Sequence, residues 1–218
     1  MQNYYDSFNQ VQKNRFDLVE LNKDFLSKPN MVYMEFGVYN GTSLFDYYNA
    51  YTLNGINKEF YGFDSFEGLP EENLDNLSPW KTGEFSMGGN IESRLLNNPN
   101  ITLFPGWFSE SLNIETVDKI GNKKCGIIHI DCDIYTSTIQ VLEWIVVNDF
   151  LTEGTVIVYD DWAAYRKAGL GDDMEYSLGE ARAHLEISEK YNLKFEEIAT
   201  AIGGEHHIVK SFRYLGEK

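Results

Sequence analysis

The stretch CGIIHIDCDIYTSTIQVLEWIVVNDFL (125–151) joins an apolar run to a segment with helical periodicity. The run CGIIHIDCD (125–133) is short and rich in β-branched residues, which predicts a buried strand. The segment STIQVLEWIVVNDFL (137–151) predicts a helix that ends near Gly154. A strand that is hydrophobic along its whole length and leads into a helix is typical of a parallel sheet covered on both faces.

The same alternation extends along the chain in both directions. Four more apolar runs predict strands, at 31–38, 59–66, 100–107 and 154–162. TSLFDYYNAYTLNG (42–55) predicts a helix after the first of them. The chain is therefore expected to form a doubly wound, Rossmann-like α/β sheet with helices on both faces.

The C-terminal part follows another pattern. SLGEARAHLEISEKYN (177–192) predicts a helix, and LKFEEIATAI (193–202) and HHIVKSFRYL (206–215) predict strands. The GGE between these strands is a hairpin signal. A mostly parallel sheet that ends in an antiparallel C-terminal hairpin is expected, within one domain over 1–218.

Two segments flank or interrupt this scheme. The first 30 residues are expected to be a helical N-terminal segment. Residues 67–100 are rich in Gly, Asn, Pro and acids, and only GNIESRLL within them suggests a helix. A loose stretch of this length that leaves from a strand end predicts a lid over a binding site.

Composition limits the partners and the compartment. The net charge is −16, from 34 acids and 18 bases, which argues against binding to nucleic acid because phosphate contacts need clustered Lys and Arg. No apolar stretch approaches the roughly 20 residues of a membrane helix, and the N-terminus has no secretion signal. Cys125 and Cys132 lie too close on one strand to bridge each other, so reduced thiols and a cytoplasmic location are expected.

The end of the first strand predicts a nucleotide-like cofactor. EFGVYNGTS (35–43) follows an apolar run, and its two glycines allow a tight turn against a ligand. Thr42 and Ser43 open the next helix, whose free N–H groups they supplement. The turn departs from G-x-G-x-x-G, and Glu35 would repel a pyrophosphate but suits a ligand that carries an ammonium group.

Two more strand ends extend this prediction. Asp64 ends the second strand, where an acid accepts both hydroxyls of a ribose. Trp107 and Phe108 follow the third strand and are candidates to flank an adenine ring. A nucleoside joined to an amino acid, such as S-adenosylmethionine, fits this combination, and Tyr39 and Ser65 complete the predicted cofactor site.

Four aspartates follow the last two parallel strands: Asp131 and Asp133 in HIDCD, and Asp160 and Asp161 in VYDDW. Neighbouring parallel strands would bring these carboxylates together at one sheet edge. Buried acids repel one another unless a cation or protons offset their charge. Oxygen ligands alone favour Mg²⁺, with Mn²⁺ or Ca²⁺ as alternatives.

These motifs together resemble the macrocin-type O-methyltransferases, which use S-adenosylmethionine and Mg²⁺ to methylate sugar hydroxyls. The resemblance rests on EFGVYNGTS, YGFDSFEGLPE, GWFSESL, HIDCDIYTSTIQVLE and VYDDW, in that order, over about three-fifths of the chain. It implies a class I methyltransferase fold with a seven-stranded sheet. The sequence departs from the family at Thr136, where an acid is frequent, and at Trp162, where the family has other aromatics.

The resemblance also implies residue roles. Asp131, Asp160 and Asp161 would be metal ligands, and Asp133 the general base. Glu35, Gly37, Thr42, Ser43 and Asp64 would line the cofactor site. Tyr135 and Trp162 are candidate contacts to the acceptor, which is a small molecule or a glycan. The oligomeric state stays open, with a homo-oligomer as one alternative.

Other functions share part of this pattern. A glycosyltransferase that holds a nucleotide sugar through D-x-D and Mn²⁺ would use the same acids, but it does not explain Glu35. A phosphohydrolase with D-x-D-x-T would need another residue at Tyr135. A cofactor-binding regulator or scaffold without activity is the non-enzyme alternative. His129, His206 and His207 are predicted to be structural.

Overall fold

The computed structural model describes residues 9–71, 80–162, 177–203 and 207–217. The described helices and strands follow one another as α1 (Gln10–Leu21), α2 (Lys23–Leu26), β1 (Met31–Phe36), α3 (Thr42–Leu53), β2 (Phe60–Asp64), α4 (Ser93–Leu96), β3 (Ile101–Pro105), α5 (Phe108–Ser111), α6 (Ile114–Ile120), β4 (Lys124–Ile130), α7 (Tyr135–Val147), β5 (Val156–Tyr159), α8 (Gly179–Lys190), β6 (Leu193–Ile202) and β7 (Ile208–Glu217). Within this part of the chain, no helix is long and apolar enough to cross a membrane.

The seven strands form one sheet in the order β3-β2-β1-β4-β5-β7-β6. The first five are parallel, and β7 runs antiparallel to both β5 and β6. The predicted fold is confirmed, including the C-terminal hairpin. The chain winds outward from β1 to β3 on one side and from β4 onward on the other, so the switch in strand order lies between β1 and β4.

Alternation along the strands builds a separate core on each face of the sheet. On one face, Met34 of β1 packs with Val141 and Trp144 of α7. On the other face, Tyr33 packs with Phe16 of α1 and Tyr47 of α3. The apolar residues of α7 recur at helical spacing and press its inner side onto the sheet, as the sequence predicts.

The predicted strands are longer than those observed, because each apolar run continues into the turn that follows it. β4 ends at Ile130, and Asp133 has a φ of 61° in the left-handed region. The two acids of HIDCD therefore lie in a turn and not on an extended strand, which corrects the expected geometry. Cys125 and Cys132 are both free and buried, as the sequence predicts.

Candidate active site

The turn after β1 meets the turn after β4 at the switch in strand order. Gly37 has a φ of +88°, and a Cβ atom there would lie 1.8 Å from the carbonyl oxygen of Asp131. Asp131 also donates its backbone N–H to Phe36 at 2.9 Å. Only glycine fits this position, since both the conformation and the contact exclude a side chain. The two turns thus form a single wall of the site.

Asp64 fixes the first turn from the end of β2. Its Oδ2 accepts hydrogen bonds from the backbone N–H groups of Val38 (2.8 Å) and Tyr39 (2.7 Å), and its Oδ1 from that of Phe66 (2.6 Å). Tyr39 has a φ of 47°, which this clamp helps to hold. Because a carboxylate has about four acceptor positions, Asp64 keeps one to offer a ligand.

Three carboxylates converge beyond β4 and β5. One oxygen from each of Asp131, Asp160 and Asp161 lies within 4.8 Å of the others. Burial, together with the charges of Asp160 and Asp133, raises the pKa of Asp131 well above its usual value. A cluster of oxygen ligands in which the acids repel one another fits a hard divalent cation, which would offset their charge.

Asp133 and Glu180 complete the acidic cluster. Asp133 is 6% exposed, and burial together with the charge of Asp161 raises its pKa well above the usual value. Glu180, in the first turn of α8, is fully buried and accepts the backbone N–H groups of Cys132 (3.2 Å) and Asp161 (2.9 Å). Glu180 thus ties together the two turns that carry the metal-ligand candidates.

Asp160 differs from its acidic neighbours. Its Oδ1 lies 3.2 Å from Arg15 Nη2 and 3.3 Å from His129 Nε2, and its Oδ2 lies 2.8 Å from His207 Nε2. Burial acts to raise the pKa of Asp160, but the bonds from the two histidines and the charge of Arg15 outweigh it and hold the pKa well below its usual value. Asp160 is therefore ionised and acts only as an acceptor, so both histidine nitrogens donate to it.

A cavity of about 610 Å³ opens between the turns, within the range of small-molecule sites. Its floor is acidic and its upper wall aromatic. The described residues that line it are Gly37, Tyr39, Asp64, Ser65, Gly68, Leu69, Pro70, Trp80, Phe85, Trp107, Phe108, Ser109, Asp131, Cys132, Asp133, Ser137, Gln140, Asp160, Asp161 and His207. All four aspartates of the predicted cluster are among them, as are six of the predicted cofactor contacts.

Three predicted cofactor residues lie elsewhere. Glu35 is fully buried, and its carboxylate accepts hydrogen bonds from the Tyr33 hydroxyl and, at 2.8 Å, from Ser43 Oγ. Thr42 donates its hydroxyl to Asn40 at 2.7 Å. Glu35, Ser43 and Thr42 thus bond to neighbouring protein groups beside the turn, and the contact between Glu35 and a cofactor ammonium stays a prediction.

The two predicted acceptor contacts also lie outside the described lining. Tyr135 donates its hydroxyl to Glu186 of α8 at 2.5 Å, and its ring lies under the guanidinium of Arg182. Trp162 is only 1% exposed and packs against Tyr159 and Phe212. Tyr135 thus joins α7 to α8, Trp162 packs beside β5 and β7, and their contact with the acceptor stays a prediction.

Sequence reasoning missed three residues that contact the acidic cluster. Glu180 could have been noticed as an acid in the first turn of a predicted helix, although such acids are common there. His207 was predicted to be structural, yet it lines the cavity and bonds Asp160. Arg15 is 145 positions from Asp160 and gives no local signal. His206, predicted as structural, lies outside the described residues.

The segment after β2 contributes the aromatic wall. Met87 and Gly89 donate their backbone N–H groups to the carbonyl of Phe66, and Leu69 donates to Glu84 at 2.9 Å. These bonds fold the described parts of 67–100 back over the cofactor turn. Phe85 then contacts Tyr39 edge to face, at 5.9 Å between ring centroids. The helix expected in GNIESRLL is reduced to the single turn α4.

The sheet order, the glycine turn after β1 and the acid at the end of β2 define a class: the Rossmann-like, S-adenosylmethionine-dependent O-methyltransferases. The macrocin-O-methyltransferase (TylF) family profile matches residues 29–173, about two-thirds of the chain. The chain belongs to this family. Membership selects the methyltransferase among the alternatives that the D-x-D motif left open. No curated protein sequence shows significant similarity to the chain.

Solved structures of methyltransferases share the fold. The calicheamicin methyltransferase CalS11 is 18% identical, with a TM-score of 0.60 over 92% of this chain and 78% of that one. The O-methyltransferase NovP is 17% identical, with a TM-score of 0.61 over 94% of this chain and 80% of that one. A CmcI structure with Mg and S-adenosylmethionine is 19% identical, with a TM-score of 0.50 over 90% of this chain and 70% of that one.

Proposed function

We propose that this methyltransferase transfers the methyl group of S-adenosylmethionine to a sugar hydroxyl, and that the reaction depends on a divalent cation. The observation that carries the proposal is the group of Asp131, Asp160 and Asp161, whose oxygens approach within 4.8 Å beside the turn predicted to bind the cofactor. Family membership supplies the methyl transfer, and this acidic group supplies the metal dependence.

Asp131, Asp160 and Asp161 are the proposed ligands, with Mg²⁺ as the favoured ion. A bound cation would lower the pKa of a coordinated sugar hydroxyl and would offset the repulsion among the carboxylates. The cation would thus offset the burial and the mutual repulsion that raise the pKa of Asp131 and Asp133. Glu180 holds both ligand-bearing turns in place through their backbone N–H groups.

Asp133 is the proposed general base. It lines the cavity beside the ligand group, in a turn where its backbone has a φ of 61°. It takes the hydroxyl proton as the acceptor oxygen attacks the methyl carbon. S-adenosylmethionine, held by the turns after β1 and β2, would supply the methyl group and would leave as neutral S-adenosylhomocysteine. Correct placement of the two reactants supplies much of the rate.

The cofactor is proposed to lie across the two wall-forming turns. Gly37 and Tyr39 would contact its amino-acid part, Asp64 and Ser65 its ribose, and Trp107 and Phe108 its adenine. The aromatic segment around Trp80 and Phe85 would act as a lid that excludes water from the reaction. All these side chains or backbones line the same cavity.

The proposed acceptor is a sugar in a glycoside, a nucleotide sugar or a surface polysaccharide. A second CalS11 structure is described as a TDP-rhamnose 3'-O-methyltransferase, and it shares the fold with a TM-score of 0.56 at 18% identity. Two neighbouring hydroxyls on a sugar ring can chelate one cation, which suits a site where three carboxylates meet. These features support a sugar over an isolated phenol.

The test is a methyl-transfer assay with radiolabelled S-adenosylmethionine and a panel of sugar acceptors. Treatment with EDTA should abolish transfer, and added Mg²⁺ should restore it. Binding of S-adenosylhomocysteine, followed by calorimetry, should survive EDTA and provides the control for an intact fold. Full activity in the chelator would remove the metal from the proposal, whereas label transfer to phenols but to no sugar would remove the acceptor class.

A further inference from the structure

The N-terminal helix α1 is tied to the acidic cluster through one side chain. Arg15 is largely buried and divides its guanidinium between two acids: Nη1 lies 3.0 Å from Asp46 Oδ2 in α3, and Nη2 lies 3.2 Å from Asp160 Oδ1. Gln12, one turn earlier, also donates to Asp46, at 3.0 Å. The match to the family profile begins at residue 29, so α1 lies outside the matched residues.

The number of contacts that Asp160 makes can be compared with the number of hydrogen bonds that a carboxylate can accept. An ionised carboxylate has about four acceptor positions, two on each oxygen. Arg15 and His129 both approach Oδ1, and His207 approaches Oδ2. Among the described residues, these contacts fill both positions of Oδ1 and one of Oδ2, so Oδ2 keeps a position able to bind a cation.

We propose that Arg15 is a positioning residue of the metal site, which holds Oδ1 of Asp160 so that Oδ2 is presented to the cation. This inference rests on the metal dependence proposed above. The planar fork of arginine suits the task because it can hold two carboxylates at once in fixed directions. Asp46 of α3 binds the other nitrogen of the Arg15 guanidinium. Helices α1 and α3 therefore set the orientation of Asp160, the proposed metal ligand that follows β5.

The experiment measures Mn²⁺ affinity by calorimetry on the full chain. Loss of a group that orients a metal ligand typically weakens metal binding by about 10- to 100-fold, which is the result expected for Arg15→Met. S-adenosylhomocysteine affinity should stay unchanged, because Asp64 and the glycine turn do not contact Arg15. Arg15→Lys should recover part of the loss, since an ammonium group can still pair with one acid.

Gln12→Ala is the matched control. It removes a bond between α1 and the same Asp46 but leaves Asp160 untouched, so Mn²⁺ affinity should equal that of the wild type. Equal weakening in Gln12→Ala and Arg15→Met would overturn the proposal, because it would trace the effect to helix docking. Unchanged or tighter Mn²⁺ binding in folded Arg15→Met would overturn it as well.

Two further results separate this inference from the proposed function. If the wild type binds no Mn²⁺, the metal dependence itself fails and the role of Arg15 fails with it. Arg15→Lys is the milder variant. If it binds Mn²⁺ as tightly as a wild type that does bind the ion, and needs no more Mg²⁺ for half-maximal methyl transfer, only the role of Arg15 fails. Should Arg15→Met not fold, Arg15→Lys gives the deciding measurement.

Discussion

One half of the site is formed mainly by backbone groups, and the other half is formed by side chains. The half formed by β1 and β2 uses backbone: a glycine at φ +88°, Tyr39 at φ 47°, and three N–H groups bound to Asp64. The half formed by β4 and β5 uses side chains, with Asp131, Asp160 and Asp161 in one group. The first half depends on shape, whereas the second depends on charge.

This difference indicates which kind of substitution would damage each half. A backbone-built site is damaged most by added atoms. A site of clustered carboxylates tolerates no loss of charge balance, because burial penalises every uncompensated acid. The halves meet where Gly37 abuts the carbonyl of Asp131, so one position tests both at once.

Gly37→Ala should have the largest effect. The new methyl group would collide with backbone at 1.8 Å in a conformation that disfavours side chains, which together cost about 3 kcal/mol or more. Thermal melting should show a strongly destabilised protein, and calorimetry should show loss of both S-adenosylhomocysteine and Mn²⁺ binding.

Gly55→Ala is the matched control for this prediction. It has a φ of +70°, but no atom lies within 4 Å of the added Cβ. Conformational strain alone should cost about 1–2 kcal/mol and leave both ligands bound. Equal destabilisation of the two variants would show that the contact between the halves is not what makes Gly37 necessary.

Asp133→Asn should separate chemistry from binding. An amide cannot take the acceptor proton, so the turnover number is expected to fall by about 10²- to 10⁴-fold. The affinity for S-adenosylhomocysteine should change little, and Mn²⁺ should still bind, since Asp133 is not among the proposed ligands. Near wild-type turnover with a good acceptor would exclude Asp133 as the base.

Helix α8, which carries Glu180, should also make the fold sensitive to acid. His184 is buried beneath β5, receives a hydrogen bond from the Tyr159 hydroxyl at 2.9 Å, and stacks on Phe212. Burial lowers its pKa to about 4 from an ordinary value of 6.5. Between these pH values the unfolded chain binds the proton and the folded chain does not, so stability rises with pH across this window.

Between pH 7 and pH 5, the titration of His184 should lower the free energy of unfolding by about 2 kcal/mol. Denaturant unfolding of the wild type and of His184→Gln at both pH values isolates it from the other acids. Glutamine can keep a bond to Tyr159 but cannot titrate, so the variant should lose less stability than the wild type. Parallel curves for the two proteins would exclude His184 as a source of the acid sensitivity.

The backbone-built half shows what sequence could predict. Apolar runs located all five parallel strands, and the turn EFGVYNGTS pointed to the cofactor side of the sheet. The turn motif alone does not show which face of the sheet Glu35 lies on. Glu35 shares its face of β1 with Tyr33 and lies toward Ser43 of α3, where neighbours take up its carboxylate. Alternation along β1 would have predicted this.

In the charge-built half, only the acidic residues could be predicted from the sequence. The motifs VYDDW and HIDCD predict four carboxylates at the ends of neighbouring strands. The groups that contact them or their turns come from distant parts of the chain: Arg15 from α1, Glu180 from α8 and His207 from the last hairpin. Such long-range pairs depend on tertiary packing, and single residues of these types carry no local pattern. The left-handed turn at Asp133 likewise follows from packing.

Asp64→Asn is the mildest of these substitutions and the most direct test of whether the two halves of the site act independently. The amide keeps one oxygen for the backbone clamp but loses the charge that would bind the ribose hydroxyls, so S-adenosylhomocysteine affinity should fall about tenfold, as for one charged hydrogen bond. Mn²⁺ affinity should be unchanged. Asp161→Asn is the mirror variant and should weaken Mn²⁺ while it leaves S-adenosylhomocysteine bound. If either variant weakens both ligands equally, the two halves act as one unit, and the division between shape and charge is wrong.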